Sequence, residues 1–170
     1  MQMVKKLLIS FVVLWFCVLA FMPKEEIYYA IEQQLATYDI KLNEQSLKSG
    51  IFTLEAKDVD VYLKGIKIAH IDTIECFLLL WADYIKISNV ELDDSLANLA
   101  PKHIESLDIS YSILAPKQLK IDSKGDFGVV NGYADTNGTL HLDFVEVKDI
   151  KTFKNELSKN NNGWYYETSF

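Results

Sequence analysis

The chain has 170 residues, of which 24 are acidic and 17 basic, for a net charge of −7. Every basic residue is Lys, so the sequence offers no guanidinium forks. An acidic chain without them is a poor partner for the phosphates of nucleic acid.

Lys5 and Lys6 precede a run of uncharged residues from Leu7 to Met22. Its apolar anchor positions are Leu7, Leu8, Ile9, Phe11, Val12, Val13, Leu14, Trp15, Phe16, Val18, Leu19 and Phe21. As a helix the run reaches about 24 Å, short of a hydrocarbon core roughly 30 Å thick. Val4 and the stems of Lys5, Lys6 and Lys24 extend it. Lys24-Glu25-Glu26 follows, so the positive-inside bias predicts one membrane span. The N-terminus then lies in the cytoplasm and everything after Met22 is exported. A cleaved signal peptide shares this pattern, with Val18-Leu19-Ala20 as a passable site. Trp15, Phe16 and Phe21 crowd the positions where small residues are wanted, and bulky Phe16 precedes Cys17 where a lipoprotein needs a small residue. The chain therefore reads as a membrane anchor over 1–23 and an exported domain over 24–170. That domain carries a charge near −9 and is long enough for one core. Cys17 and Cys76 both lie in apolar stretches and are not expected to pair.

Pro23 suits a first helical turn, and Glu25 and Glu26 suit its positive end. Ile27, Tyr28, Ile31, Leu35 and Tyr38 then recur at helical spacing and predict an amphipathic helix over about Lys24 to Thr37. The stripe is expected either to pack on a sheet or to lie on the membrane surface, although few basic residues flank it.

Beyond Tyr38 the period becomes two. Phe52, Leu54 and Ala56, then Val59, Val61 and Leu63, give one strand bulged at Lys57-Asp58, or two strands. Lys64-Gly65 is a turn, and strands follow from Ile66 towards Phe77 and from Asp83 to Leu92. Asp93-Asp94-Ser95 caps a short helical piece, Leu96 to Leu99. Leu107 to Ile113 is a strand, and Leu119 and Ile121 form the next, turned by Ser123-Lys124-Gly125. Phe127 to Ala134 pairs with Thr139 to Val147 across Asp135-Thr136-Asn137-Gly138, a strong hairpin signal. Ile150 to Leu157 reads as a short helix, Ser158 to Gly163 as a polar loop, and Trp164 to Phe170 as a last strand. The fold expected is mainly β with α: a transmembrane helix, an amphipathic helix, then a curved antiparallel meander of seven to nine strands.

The sequence offers little chemistry. His70, His103 and His141 are isolated and no Gly-x-Ser-x-Gly elbow occurs. No Cys-x-x-Cys or His-x-x-x-His cluster suggests a metal, and His141 with Asp143 supplies only two ligands. Asp58 with Asp60, and Asp93 with Asp94, suit exposed faces and caps better than paired acid–base work. The glycines punctuate turns rather than cradle phosphate, and Asn137-Gly138-Thr139 reads as turn chemistry rather than a glycan acceptor. No catalytic, cofactor-binding or metal-binding residue is expected, and the chain reads as non-enzymatic.

After the anchor and acidic helix come Tyr111-Ser112-Ile113-Leu114-Ala115-Pro116 and Gly125-Asp126-Phe127-Gly128-Val129-Val130-Asn131-Gly132. With these segments the chain resembles the general secretion pathway protein N family of the type II secretion system. It is also loosely similar to AsmA-like envelope proteins. The resemblance implies a bitopic inner-membrane protein with a periplasmic β-rich domain and no enzymatic activity. One expectation is an assembly component that docks secretion or envelope proteins, where open strand edges can accept a partner strand. The alternative is a lipid-handling module with an apolar concave sheet, to which the run Leu78-Leu79-Leu80-Trp81 contributes.

Overall fold

The computed structural model describes residues 2–96, 100–151, 154–160 and 163–169. Helix α1 (Gln2–Phe21) is followed by α2 (Lys24–Ala36) and then by strands. These are β1 (Ile40–Ser49), β2 (Thr53–Leu63), β3 (Ile66–Leu78), β4 (Ala82–Leu92), β5 (His103–Ser112) and β6 (Gln118–Gly125). Then come β7 (Gly128–Asp135), β8 (Thr139–Val147), β9 (Ser158–Asn160) and β10 (Gly163–Ser169). Among the described residues the ten strands form one open antiparallel sheet, ordered β1 to β8, then β10 and β9. Nearly every strand pairs with its chain neighbour because short turns join them, as a meander requires.

Helix α1 is long and apolar enough to cross a membrane. Its anchor positions are exposed except at two places: Leu19 is fully buried and Trp15 half-buried. Trp15 stacks on Trp81, which lies between β3 and β4, so the helix meets the sheet there. Lys24 is 2% exposed, and its Nζ donates to the Leu19 carbonyl at 2.8 Å. The ammonium thus satisfies one of the orphan carbonyls in the last turn of α1.

The predicted stripe of α2 divides. Tyr28 is buried and Leu35 half-buried, whereas Ile27, Ile31 and Tyr38 are exposed. The buried positions Lys24 and Tyr28, with half-buried Glu32 and Leu35, mark one face that lies to the side of the purely apolar stripe. Tyr28 sets the rotation, because it fills the core between Leu54, Ala56 and Val59 while its hydroxyl donates to Glu44 at 3.3 Å.

Strand β2 is a single strand whose alternation breaks at Lys57-Asp58 with its register to both neighbours unchanged there; the register with β3 shifts between Val61 and Tyr62. The same break recurs in every strand from β1 to β5. Leu47, Ala56, Ile74, Ile87 and Leu107 form one cross-strand row. Glu44, Val59, Ile71, Val90 and Ile104 form the next. Two residues separate the rows on each strand, where simple alternation would leave one. Asp58 and Asn89 stand in this gap with φ of 51°, a left-handed conformation that Asp and Asn tolerate better than most residues. The extra residue forms a crease across five strands and ends at β6, where the register with β5 shifts.

Other expectations need correction. Ser123-Lys124-Gly125 continues β6, and the turn falls at Asp126-Phe127, because Phe127 must reach a core with Val130, Phe144 and Ile150. Ser158 to Asn160 is a strand paired with β10 rather than loop. A 3₁₀ turn at Asp94–Leu96 leads into the piece expected at Leu96 to Leu99, most of which lies outside the described residues, and within Ile150 to Leu157 the described residues form a 3₁₀ turn at Lys154–Glu156. Residues 97–99, 152–153 and Phe170 lie outside the described residues. The apolar run Leu78 to Trp81 is a hairpin tip, with only Leu78 in a strand.

Candidate functional site: an uncapped apolar groove

Alternation gives the sheet two chemically distinct faces. On one, Leu54, Cys76, Ile85, Ile109, Ile121, Gly132, Leu142 and Tyr166 are partners strand by strand. The opposite face carries Glu55, Glu75, Lys86, Asp108, Asp122, Asn131, Asp143 and Tyr165 in the next row. One face is thus aliphatic across the molecule while the other is charged.

Two cores occupy opposite ends of the apolar face. Tyr28 of α2 covers β1 to β3 at one end. Phe127 and Ile150 pack with Val130 and Phe144 at the other, supported by Trp164 and Tyr166. Ile85, Ile87, Leu107, Ile109 and Ile121 lie between them, all half-buried. They belong to neither core. A cavity of about 230 Å³ opens at the second core, lined by Ile104, Leu107, Ile121, Val130, Leu142 and Phe144, together with Pro101, Ser123 and Phe127. Side chains from four strands surround this space, so the apolar face is concave there. The structure brings together aliphatic residues that the sequence spreads over 40 positions, and it places no charged side chain in the cavity lining.

The charged face holds the groups that sequence reading examined for catalysis. His70 Nδ1 lies 2.7 Å from Asp60. Lys67 and then His70 hydrogen-bond the Asp60 carboxylate and hold it below its usual range. His141 lies between Tyr133 and Tyr165, 5.5 Å from each ring centroid. Its nitrogens meet Glu167 at 2.8 Å and Asp143 at 3.2 Å. Tyr84 donates a short hydrogen bond to Asp108, and that bond raises the phenol to about 12. Burial pushes the Cys76 thiol up, so it is not poised as a thiolate nucleophile. His70 and His141 thus sit in cross-strand clusters with carboxylates, and His141 with tyrosines as well. Among the described residues no three His, Cys, Asp or Glu side chains converge as metal ligands. Asp93, expected as a cap, accepts from the Ser95 amide at 2.9 Å and is held below its usual range by that bond.

The groove residues were visible in the sequence as strand positions, but their shared lack of cover was not. Alternation reveals which face is apolar; only the placement of α2 and Ile150 shows how much of it remains open. Comparison with known proteins finds no matching family model, no similar curated protein and no similar solved structure.

Proposed function

We propose that this is a non-enzymatic lipid-handling module tethered to the inner membrane, with its open groove sheltering acyl chains. Lys5 and Lys6 hold the N-terminus on the cytoplasmic side, and the sheet works in the periplasm. The observation that carries this reading is the aliphatic row Ile85, Ile109 and Ile121, half-buried and outside both cores among the described residues. Such a lining offers dispersion and desolvation but few hydrogen bonds, which matches hydrocarbon better than a peptide backbone. A membrane helix in the same chain keeps the groove beside a source of acyl chains.

The test is the lipid retained by the full chain after transfer from detergent to amphipol, measured by mass spectrometry. Ile109→Glu and Ile121→Glu serve as comparisons, since lipid held around α1 is common to all three. The reading expects bound lipid to fall in both variants while their thermal unfolding remains cooperative. Equal lipid in all three proteins would remove it.

A second reading, an accessory component of a type II-like secretion system, is supported by the free edge of β1. Among the described residues no strand lies on the outer side of its ten residues, and such an edge can accept a partner strand.

A further inference from the structure

We infer that three consecutive hairpin tips, Ile51-Phe52, Leu79-Leu80-Trp81 and Ile113-Leu114, dip into the membrane leaflet around α1 and seat that end of the sheet in lipid. This rests on the reading of α1 as a membrane span.

The tips lie at one end of the sheet, joining β1 to β2, β3 to β4 and β5 to β6. They are uncharged, and Ile51, Leu80, Trp81, Ile113 and Leu114 are exposed, Leu114 at 93%, while Phe52 and Leu79 are half-buried. The described turns at the other end are charged, with Lys64-Gly65, Asp93-Asp94 and Asp126. Apolar tips at one end and charged turns at the other orient the sheet relative to an interface.

Helix α1 meets this same end. The Trp15 ring stacks on Trp81 with centroids 4.2 Å apart, and Phe16 packs edge-on to Phe52 at 5.9 Å. Trp15 lies six positions before the end of α1, so the tips reach about 9 Å below that end, at 1.5 Å per residue. The apolar segment of α1 is short for a bilayer, which draws neighbouring apolar groups into the interface. Lys48 and Lys117 flank the tips, exposed and able to meet lipid phosphates.

The backbone of the tips is also suited to lipid, where unpaired amides are costly. Leu78 N donates to the Phe52 carbonyl at 2.8 Å, and Ile113 N to the Trp81 carbonyl at 2.8 Å. These bonds stitch each tip to the next. Asp83 Oδ1 accepts from the amides of Leu79 and Leu80 at 2.9 and 3.1 Å. Leu80 holds φ of 72°, a position where glycine would sit with less strain. The fourth tip, Thr136-Asn137-Gly138, is polar and lies beyond the other three in the strand order, so the sheet leaves the membrane there.

The experiment uses the full chain with Cys17→Ser and Cys76→Ala, carrying a single added cysteine at Leu114, Asn137 or Lys64. Each is labelled with an environment-sensitive fluorophore and reconstituted in phosphatidylethanolamine–phosphatidylglycerol vesicles. The Leu114 label should shift to the blue, lose intensity to doxyl-labelled lipids and resist aqueous iodide. The labels at Asn137 and Lys64 should remain open to iodide. A Leu114 label as accessible to iodide as the Lys64 label overturns the inference, as does equal lipid quenching of all three. A seated Leu114 with a lipid-free groove would preserve this inference and remove the proposed function; a groove holding lipid with Leu114 in water would do the reverse.

Discussion

The indole of Trp15 lies flat against that of Trp81, with centroids 4.2 Å apart and ring planes 13° from parallel. The Trp15 Nε1 is buried without a hydrogen-bond partner, so the pair holds through its faces. Trp15→Phe should therefore be tolerated. Trp81→Ala should loosen α1 from the sheet by the value of an aromatic pair, about 1 kcal/mol beyond its burial. Hydrogen exchange of the amides from Leu19 to Ile27 is the readout, rising several-fold in Trp81→Ala but not in Trp15→Phe.

The crease depends on backbone that Asp58 can adopt and a β-branched residue cannot. Asp58→Val should destabilise the fold by about 1–2 kcal/mol, the cost of forcing such a residue into the left-handed region. Asp58→Gly should lie within about 0.5 kcal/mol of the parent. Urea unfolding of the two variants checks the difference. Equal stability would show that the strand slips out of the crease.

Tyr28 should matter for its ring more than for its hydroxyl. Tyr28→Ala empties the core between Leu54, Ala56 and Val59, at a cost of about 3 kcal/mol. Tyr28→Phe loses only the bond to Glu44, worth about 1 kcal/mol or less. Burial first, and Glu44 second, raise this phenol above its ordinary value, so its contribution is fully present below the unfolded value, about 10, and is lost as pH rises from there towards the folded value. Melting of the parent should therefore fall relative to Tyr28→Phe as pH rises through about 10, and a constant difference would contradict the packing described.

Asp60 gives a pH dependence of definite sign. Lys67 and His70 lower its pKa in the folded protein, so its contribution is fully present above the unfolded value, about 4. That contribution fades as pH falls through the lower, folded value. Asp60→Asn should lower the melting temperature at pH 7, and the gap to the parent should close below about pH 4. A gap that widens on acidification would show that the carboxylate is not held by Lys67 and His70.

Much of the fold was legible in the chain. Alternation at Leu54, Ala56, Val59 and Val61 marks β2, and Asp135 to Gly138 marks the last long hairpin. The break at Lys57-Asp58 could be read locally. Its continuation through Ile71 and Ile74, Ile87 and Val90, and Ile104 and Leu107 needed the register, since spacing alone does not say that these steps line up. The tip at Leu78 to Trp81 was hidden because it contains no Gly, Pro or Asn; the turn is made by Leu80 in a left-handed conformation and by the Asp83 side chain. The α2 face was misjudged because burial follows Tyr28 and Lys24 rather than the most apolar stripe. Ser158 to Asn160 looked like loop because a three-residue edge strand has too few positions to show a period.

The most direct measurement places a photo-reactive amino acid at Ile121, on the apolar face, and at its neighbour Asp122, on the charged face, in cells expressing the full chain. Irradiation should yield a lipid adduct at Ile121 and none at Asp122, identified by the mass of the modified peptide. A protein adduct at Ile121, or the same lipid yield at both positions, would contradict an acyl-binding groove.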